Sequence, residues 1–140
     1  MRRRIRTTLA RVAVFVLTAV SLPLASPSPA AAFGEETFGC RVAPGYDFTW
    51  DYYCDNSTDT SGATTYTAGF ALLNTSGTYT YSWSIVGSHR GVIVGCTSTS
   101  YDCALRMRAG DEAEVTVTYA QNGQSASQSA YAAIYYCPFC

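Results

Sequence analysis

Tyr79-Thr80-Tyr81-Ser82-Trp83-Ser84-Ile85 is the stretch on which the fold turns. Large residues at every second position, separated by small hydroxyl residues, have the period of a strand that buries one face only. The pattern repeats outward in both directions. Upstream, Tyr66, Ala68, Phe70 and Leu72 share one side of a strand that ends in the turn Asn74-Thr75-Ser76-Gly77. Downstream, the loop Gly87-Ser88-His89-Arg90-Gly91 precedes a short apolar strand, Val92-Ile93-Val94, and a further one from Cys103 to Met107. From Glu112 to Ala120 the side Ala113, Val115, Val117 and Tyr119 alternates with Glu114, Thr116 and Thr118. Asn122-Gly123 then supplies the two positive-φ positions of a type I′ hairpin turn. Pairing across it sets Tyr119 against Ala126, Val117 against Gln128 and Val115 against Ala130. That register leaves Gln128 in an apolar layer without an evident partner, so a bulge or a shifted register is the expectation there. The last strand runs to about Tyr136, and no segment holds a helical period beyond two turns. The pattern predicts an all-β antiparallel sandwich of about seven strands over residues 63–140.

Tyr81-Ser82-Trp83-Ser84-Ile85 resembles the Tyr-x-Trp-x-Phe strand of PKD-type immunoglobulin-like domains. Glu114-Val115-Thr116-Val117-Thr118-Tyr119, closed by Asn122-Gly123, is similar to that family's penultimate strand and final hairpin. Val86-Gly87-Ser88 stands where the family carries Gly-Asp-Gly. The likeness covers roughly Ala63 to Tyr136. It implies an immunoglobulin-like sandwich used for extracellular binding or spacing, and no chemistry.

The front of the chain reads differently. Arg2, Arg3, Arg4, Arg6 and Arg11, an apolar run from Val12 to Leu24 and the small residues Ala30-Ala31-Ala32 form a secretory signal pattern over residues 1–32. The run is shorter than the roughly 20 residues that span a bilayer. Pro138-Phe139-Cys140 carries no sorting or anchoring signal, so a released, secreted product without a membrane anchor is expected. Residues 33–140 hold four Arg, no Lys and ten acidic residues, a formal charge of −6. Such a chain has no electrostatic footprint for nucleic acid or for an anionic membrane.

All six Cys follow the signal, which predicts three disulfides in an oxidising compartment. Cys96 and Cys103 flank a six-residue polar connection between short strands, which brings them within bonding reach. For the other four, the immunoglobulin-like resemblance implies links from Cys40 and Cys54 to Cys137 and Cys140. First and last strands run side by side in such folds. Cys137-Pro138-Phe139-Cys140 has redox spacing, but it ends an all-β chain with no helix to lower a thiol pKa, so a staple is expected.

Catalytic readings are poorly supplied. His89 is the sole His, in a polar loop, and neither a strained nucleophile turn nor an oxyanion motif accompanies Ser88, Ser98, Ser100 or Asp102. One His and oxidised Cys leave no metal-ligand set. Asp55-Asn56-Ser57-Thr58-Asp59-Thr60-Ser61-Gly62 spaces oxygens as a Ca²⁺ loop does, but Gly62 falls two places late and Tyr66 stands where the bidentate Glu belongs. Glu35-Glu36 and Asp47/Asp51 lie in an irregular segment rather than across a rigid cleft. The expectation is a non-enzyme without cofactor or metal. Asn56-Ser57-Thr58 and Asn74-Thr75-Ser76 match the glycosylation pattern and are read as chance matches in a composition of high-GC bacterial type.

Residues 33–62 are instead rich in aromatics: Phe33, Phe38, Tyr46, Phe48, Trp50, Tyr52 and Tyr53. Two readings stand. The segment packs as a first strand and covers a sheet edge, or it docks into a partner, since aromatics dominate interface hot spots. Docking is expected for Phe33 to Phe38, and a strand with a partly buried Trp50 for Phe48 to Tyr53. The candidate partner-binding residues are Phe33, Glu35, Glu36, Phe38, Tyr46, Trp50 and Tyr52. A binding or adaptor module for one or more secreted proteins follows. Its plan is similar to the small secreted adaptors of actinobacterial umbrella toxin particles, in which a segment before a β-sandwich joins two larger proteins. Two alternatives are an inhibitor of an extracellular hydrolase presenting Ser88-His89-Arg90, and a cell-wall carbohydrate-binding module using Tyr and Trp faces.

Overall fold

A computed structural model describes residues 33–45 and 49–136, all of them strand, turn or loop. Residues 1–32, where the signal pattern falls, Tyr46, Asp47, Phe48 and residues 137–140, with Cys137 and Cys140, lie outside the described residues. Eight strands follow in order: β1 Thr37–Ala43, β2 Tyr53–Asp55, β3 Tyr66–Leu73, β4 Thr80–Gly87, β5 Val92–Gly95, β6 Asp102–Met107, β7 Glu112–Gln121 and β8 Gln124–Ala133. They form two four-stranded sheets, β1-β3-β6-β5 and β2-β8-β7-β4. With β2 set aside, this is the ABED-against-GFC order of an immunoglobulin-like sandwich. All pairings are antiparallel except β2 with β8, which run parallel.

The period-two faces meet between the sheets. Tyr66, Ala68, Phe70 and Leu72 of β3 and Leu105 and Met107 of β6 pack against Ala113, Val115, Val117 and Tyr119 of β7. The β7–β8 hairpin has the register its sequence predicts, with Tyr119 opposite Ala126, Val117 opposite Gln128 and Val115 opposite Ala130. Asn122 and Gly123 supply the positive φ values, 52° and 80°. No bulge removes Gln128. Its Oε1 accepts the Phe38 N–H, and its Nε2 donates to the Glu36 carbonyl and the Tyr119 hydroxyl. The partner missing from the local pattern is 90 residues away, on the chain's front segment.

That segment corrects two expectations. Phe33 to Phe38 is no free docking arm, because Phe38 enters the core at 7% exposure and β1 pairs with β3 along its whole length. Phe33 packs its ring 5.6 Å from Tyr119, and Glu36 is buried. Conversely, the described part of the Phe48 to Tyr53 stretch, from Thr49 on, is not the sandwich's first strand. β1 takes that place, and the later stretch contributes only the Cys40–Asp51 bridge and the short β2. β1 holds that sheet edge by burying Phe38, Cys40 and Val42 while its backbone pairs with β3 over all seven residues.

Cys96 bonds Cys103, as the spacing predicts. Cys40 bonds Cys54 rather than the tail, which corrects the linkage that the resemblance implied. The reason is the path of the chain. It leaves sheet one at Ala43 and enters sheet two at Tyr53, so the bond ties edge strand β1 to edge strand β2 with the crossing loop between them. Trp83 is half-buried, its ring centroid 5.9 Å from Phe38. Its indole N–H donates to the Thr97 and Ser100 carbonyls, so the core strand also fixes the Cys96–Cys103 loop.

Candidate binding surfaces

The predicted partner-binding residues do not form one patch. Glu36 and Phe38 are buried, Phe33 is half-buried, and Glu35 is exposed on the turn before β1. Tyr52 is 75% exposed beside β2, while Trp50 lies half-buried on the outer face of sheet one. Three surfaces gather exposed aromatic or apolar side chains instead.

The first is the open side of the sandwich, between edge strands β4 and β5. Val86, Val92, Ile93 and Val94 are between 45% and 65% exposed, and Tyr101 in the loop before β6 is 54% exposed. β4 is eight residues long and pairs with β7 without a register break. Tyr81 points its N–H away from β7, to the Ser98 carbonyl. Strand alternation gives the Trp83 and Ile85 N–H groups the same outward direction. β4 therefore carries outward-facing backbone donors, the feature of a sheet edge that can be extended, while the exposed apolar run lies on β5. β5 is short and carries a register shift between Val92 and Val94, which limits regular pairing on its own edge. Val92-Ile93-Val94 reads in the sequence as a short apolar strand, with nothing to say which way its side chains face. Edge position and the register shift put them outside, and neither is visible in local periodicity.

The second is a tyrosine cluster where β2 meets the end of β8. Tyr53 stacks on Tyr131 at 5.9 Å and hydrogen-bonds the Tyr135 hydroxyl. The hydrogen bond from Tyr131 to the Glu112 carboxylate, with burial, pushes its phenol up to about 12. The hydrogen bond to Tyr135, with burial, raises that of Tyr53 as well.

The third is a groove of about 280 Å³ on the outer face of sheet one, walled by Arg41, Trp50, Val94 and Asp102 over Gly69 and Ala104. Trp50 reaches this position because Gly39 lacks a side chain. A Cβ there would stand 2.9 Å from the Trp50 Cβ. The Arg41 guanidinium then sits over the indole, 4.7 Å from the ring centroid.

The groups weighed for chemistry are dispersed or already engaged. His89 is half-buried rather than solvated, and its Nδ1 is buried without a hydrogen bond. Arg90, the candidate inhibitor finger, forms a two-pronged ion pair with buried Asp111, at 2.8 and 3.0 Å. In the Asp55–Gly62 stretch, Asp59 accepts the Tyr66 hydroxyl and the Ser61 N–H, and Asp55 accepts the Ser57 N–H, so these carboxylates shape turns. Asn56 is buried, with its amide exchanging two hydrogen bonds with the Tyr135 backbone, so it presents no glycan acceptor. Glu36 accepts from the Tyr79 hydroxyl and the Gly34 N–H. Burial pushes its carboxyl up, but those donors outweigh burial and hold it below its ordinary value. Among the described residues no group of three or more His, Cys, Asp or Glu side chains is placed to hold a metal ion.

Comparison with family models, curated proteins and solved structures found no match to this chain.

Proposed function

We propose that this is a secreted, non-catalytic protein-binding module that works as an adaptor between larger extracellular proteins. The observation carrying this reading is the apolar run Val92-Ile93-Val94, exposed on edge strand β5, with the unbroken β4 as the corresponding edge of the other sheet. Exposed apolar groups gathered on one side of a small domain are the usual mark of a partner surface. The signal pattern over residues 1–32 and the cystines support export, and the PKD-type strand signature supports a spacing or binding role. The partner surface lies on the sandwich rather than on the front segment, whose aromatics hold the core. Adaptors of the umbrella-particle type remain the closest plan.

The test uses residues 33–140 as bait against the producer's culture supernatant, beside Ile93→Glu. Large secreted proteins recovered in stoichiometric amounts by the parent protein, and lost with Ile93→Glu, support the adaptor. Recovery of a single hydrolase that is lost instead with Arg90→Ala selects the inhibitor. Retention on insoluble polysaccharide with no protein partner selects the carbohydrate module.

A further inference from the structure

We propose that the Arg41–Trp50 groove is a second contact site, one that takes an extended partner segment with an acidic residue four positions before an apolar one. It rests on the protein-binding reading and adds to it a separate site with stated side-chain chemistry. Four observations converge. Arg41 makes no ion pair among the described residues, where the Arg90–Asp111 pair is recorded. Its guanidinium is nonetheless held in place over the Trp50 ring, and so is preorganised for a carboxylate. Arg106 lies on the same outer face, in the adjacent register row Ala43–Thr67–Arg106, and adds a second positive charge. These are two of only four Arg in residues 33–140, whose formal charge is otherwise acidic.

The register sets the ligand's spacing. Arg41, Gly69, Ala104 and Val94 stand side by side on β1, β3, β6 and β5. Three strand spacings of roughly 4.8 Å separate Arg41 from Val94, about 14 Å in all. An extended peptide advances about 13 Å over four residues, so an acidic residue on Arg41 puts its i+4 side chain at Val94. The i+2 residue then crosses Gly69 and Ala104, the small residues of the groove floor. Asp102 borders the far end of the groove and disfavours a second carboxylate there.

Gly69 makes the test clean. Its φ is not in the left-handed region, and an added Cβ would meet only the Arg41 Cγ, at 3.9 Å. Gly69→Val therefore fills the floor without breaking β3. The probes are acetyl-Glu-Ser-Ala-Ser-Val-amide, its Gln-for-Glu twin and oligogalacturonate, titrated into ¹⁵N-labelled residues 33–140. The expected result is movement of the Gly69 amide and the Trp50 indole with the Glu peptide. The Gln twin should bind about tenfold more weakly. Gly69→Val and Arg41→Gln should each abolish the shifts while the melting temperature holds. Equal binding of the twins, shifts only along β4 and β5, or shifts given by oligogalacturonate alone would each overturn the proposal. Those outcomes leave the adaptor reading standing, because that reading depends on the Ile93→Glu capture experiment.

Discussion

Gln128 joins the two sheets through one side chain. It satisfies the Phe38 N–H and the Glu36 carbonyl while taking the Tyr119 hydroxyl as a third partner. Replacement by Leu keeps the volume but strands buried backbone groups, each of which costs about 1–3 kcal/mol. Gln128→Leu should lower the unfolding free energy by about 2–4 kcal/mol in urea titration, with an unchanged m-value. The neighbouring Glu36 makes the fold sensitive to pH at both ends. Its folded pKa lies below the ordinary 4.5, so the unfolded chain takes up the proton first as pH falls. The stability it contributes is complete at neutral pH and drains away as pH drops through 4.5 and below. Tyr79 has the opposite sign. Its hydrogen bond to Glu36, with burial, raises the phenol above 10.0, so stability falls as pH rises past that value. Glu36→Gln should flatten the acid limb of a melting-temperature profile. An acid limb as steep as the parent's would show that another carboxylate dominates.

Among the elements, β1 separates what is legible in the sequence from what is not. β3, β4, β7 and the β7–β8 turn follow from period-two patterns and from Asn122-Gly123, because local chemistry determines them. β1 has a usable period as well, but Phe38 and Cys40 alternate with Gly39 and Arg41 in a segment crowded with other aromatics. Only the demand for a polar partner at Gln128 hints that the front segment must return to the core. The Cys40–Cys54 bond was hidden for a related reason. It depends on the chain changing sheets between β1 and β2, a topological fact with no local signature. The open β4–β5 surface was equally illegible, since an apolar triplet reads the same whether it lies in a core or at an edge. Phe38→Ala should therefore cost about 3–5 kcal/mol of stability, as a core truncation does. Removing residues 33–38 should lower the melting temperature. Replacing Cys40 and Cys54 together by Ser should cost about 3 kcal/mol, the scale for a loop of this length, with a separation of 14 residues. Unchanged melting after the residue 33–38 deletion would return that segment to the role of a free arm.

At the scale of the whole molecule, an exposed apolar side and a charge of −6 oppose each other. Val92, Ile93 and Val94 expose apolar side chains on edge strand β5. Ten acidic residues against four Arg in residues 33–140 supply the repulsion that keeps free copies apart. Acidification removes that protection selectively. Ordinary Asp and Glu titrate near 3.9 and 4.3, so the net charge approaches zero at about pH 4. Arg41, Arg90, Arg106 and Arg108 remain charged there. The apolar side chains of Val92, Ile93 and Val94 carry no titrating group. Light scattering of residues 33–140 should accordingly stay flat from pH 8 to about 5.5 and rise steeply toward pH 4. Loss of the Glu36 contribution in the same range could also raise scattering by unfolding, so circular dichroism must accompany it. Ile93→Lys changes an exposed position, which should shift stability by less than about 0.5 kcal/mol. It adds one positive charge, moving neutrality slightly upward, and so would worsen aggregation if charge alone governed it. Suppressed scattering at pH 4 in Ile93→Lys, with a native circular dichroism spectrum, would locate self-association on the β4–β5 side. Scattering equal to or greater than the parent's would show that this side is not the adhesive one, and the adaptor surface would have to be sought at the tyrosine cluster.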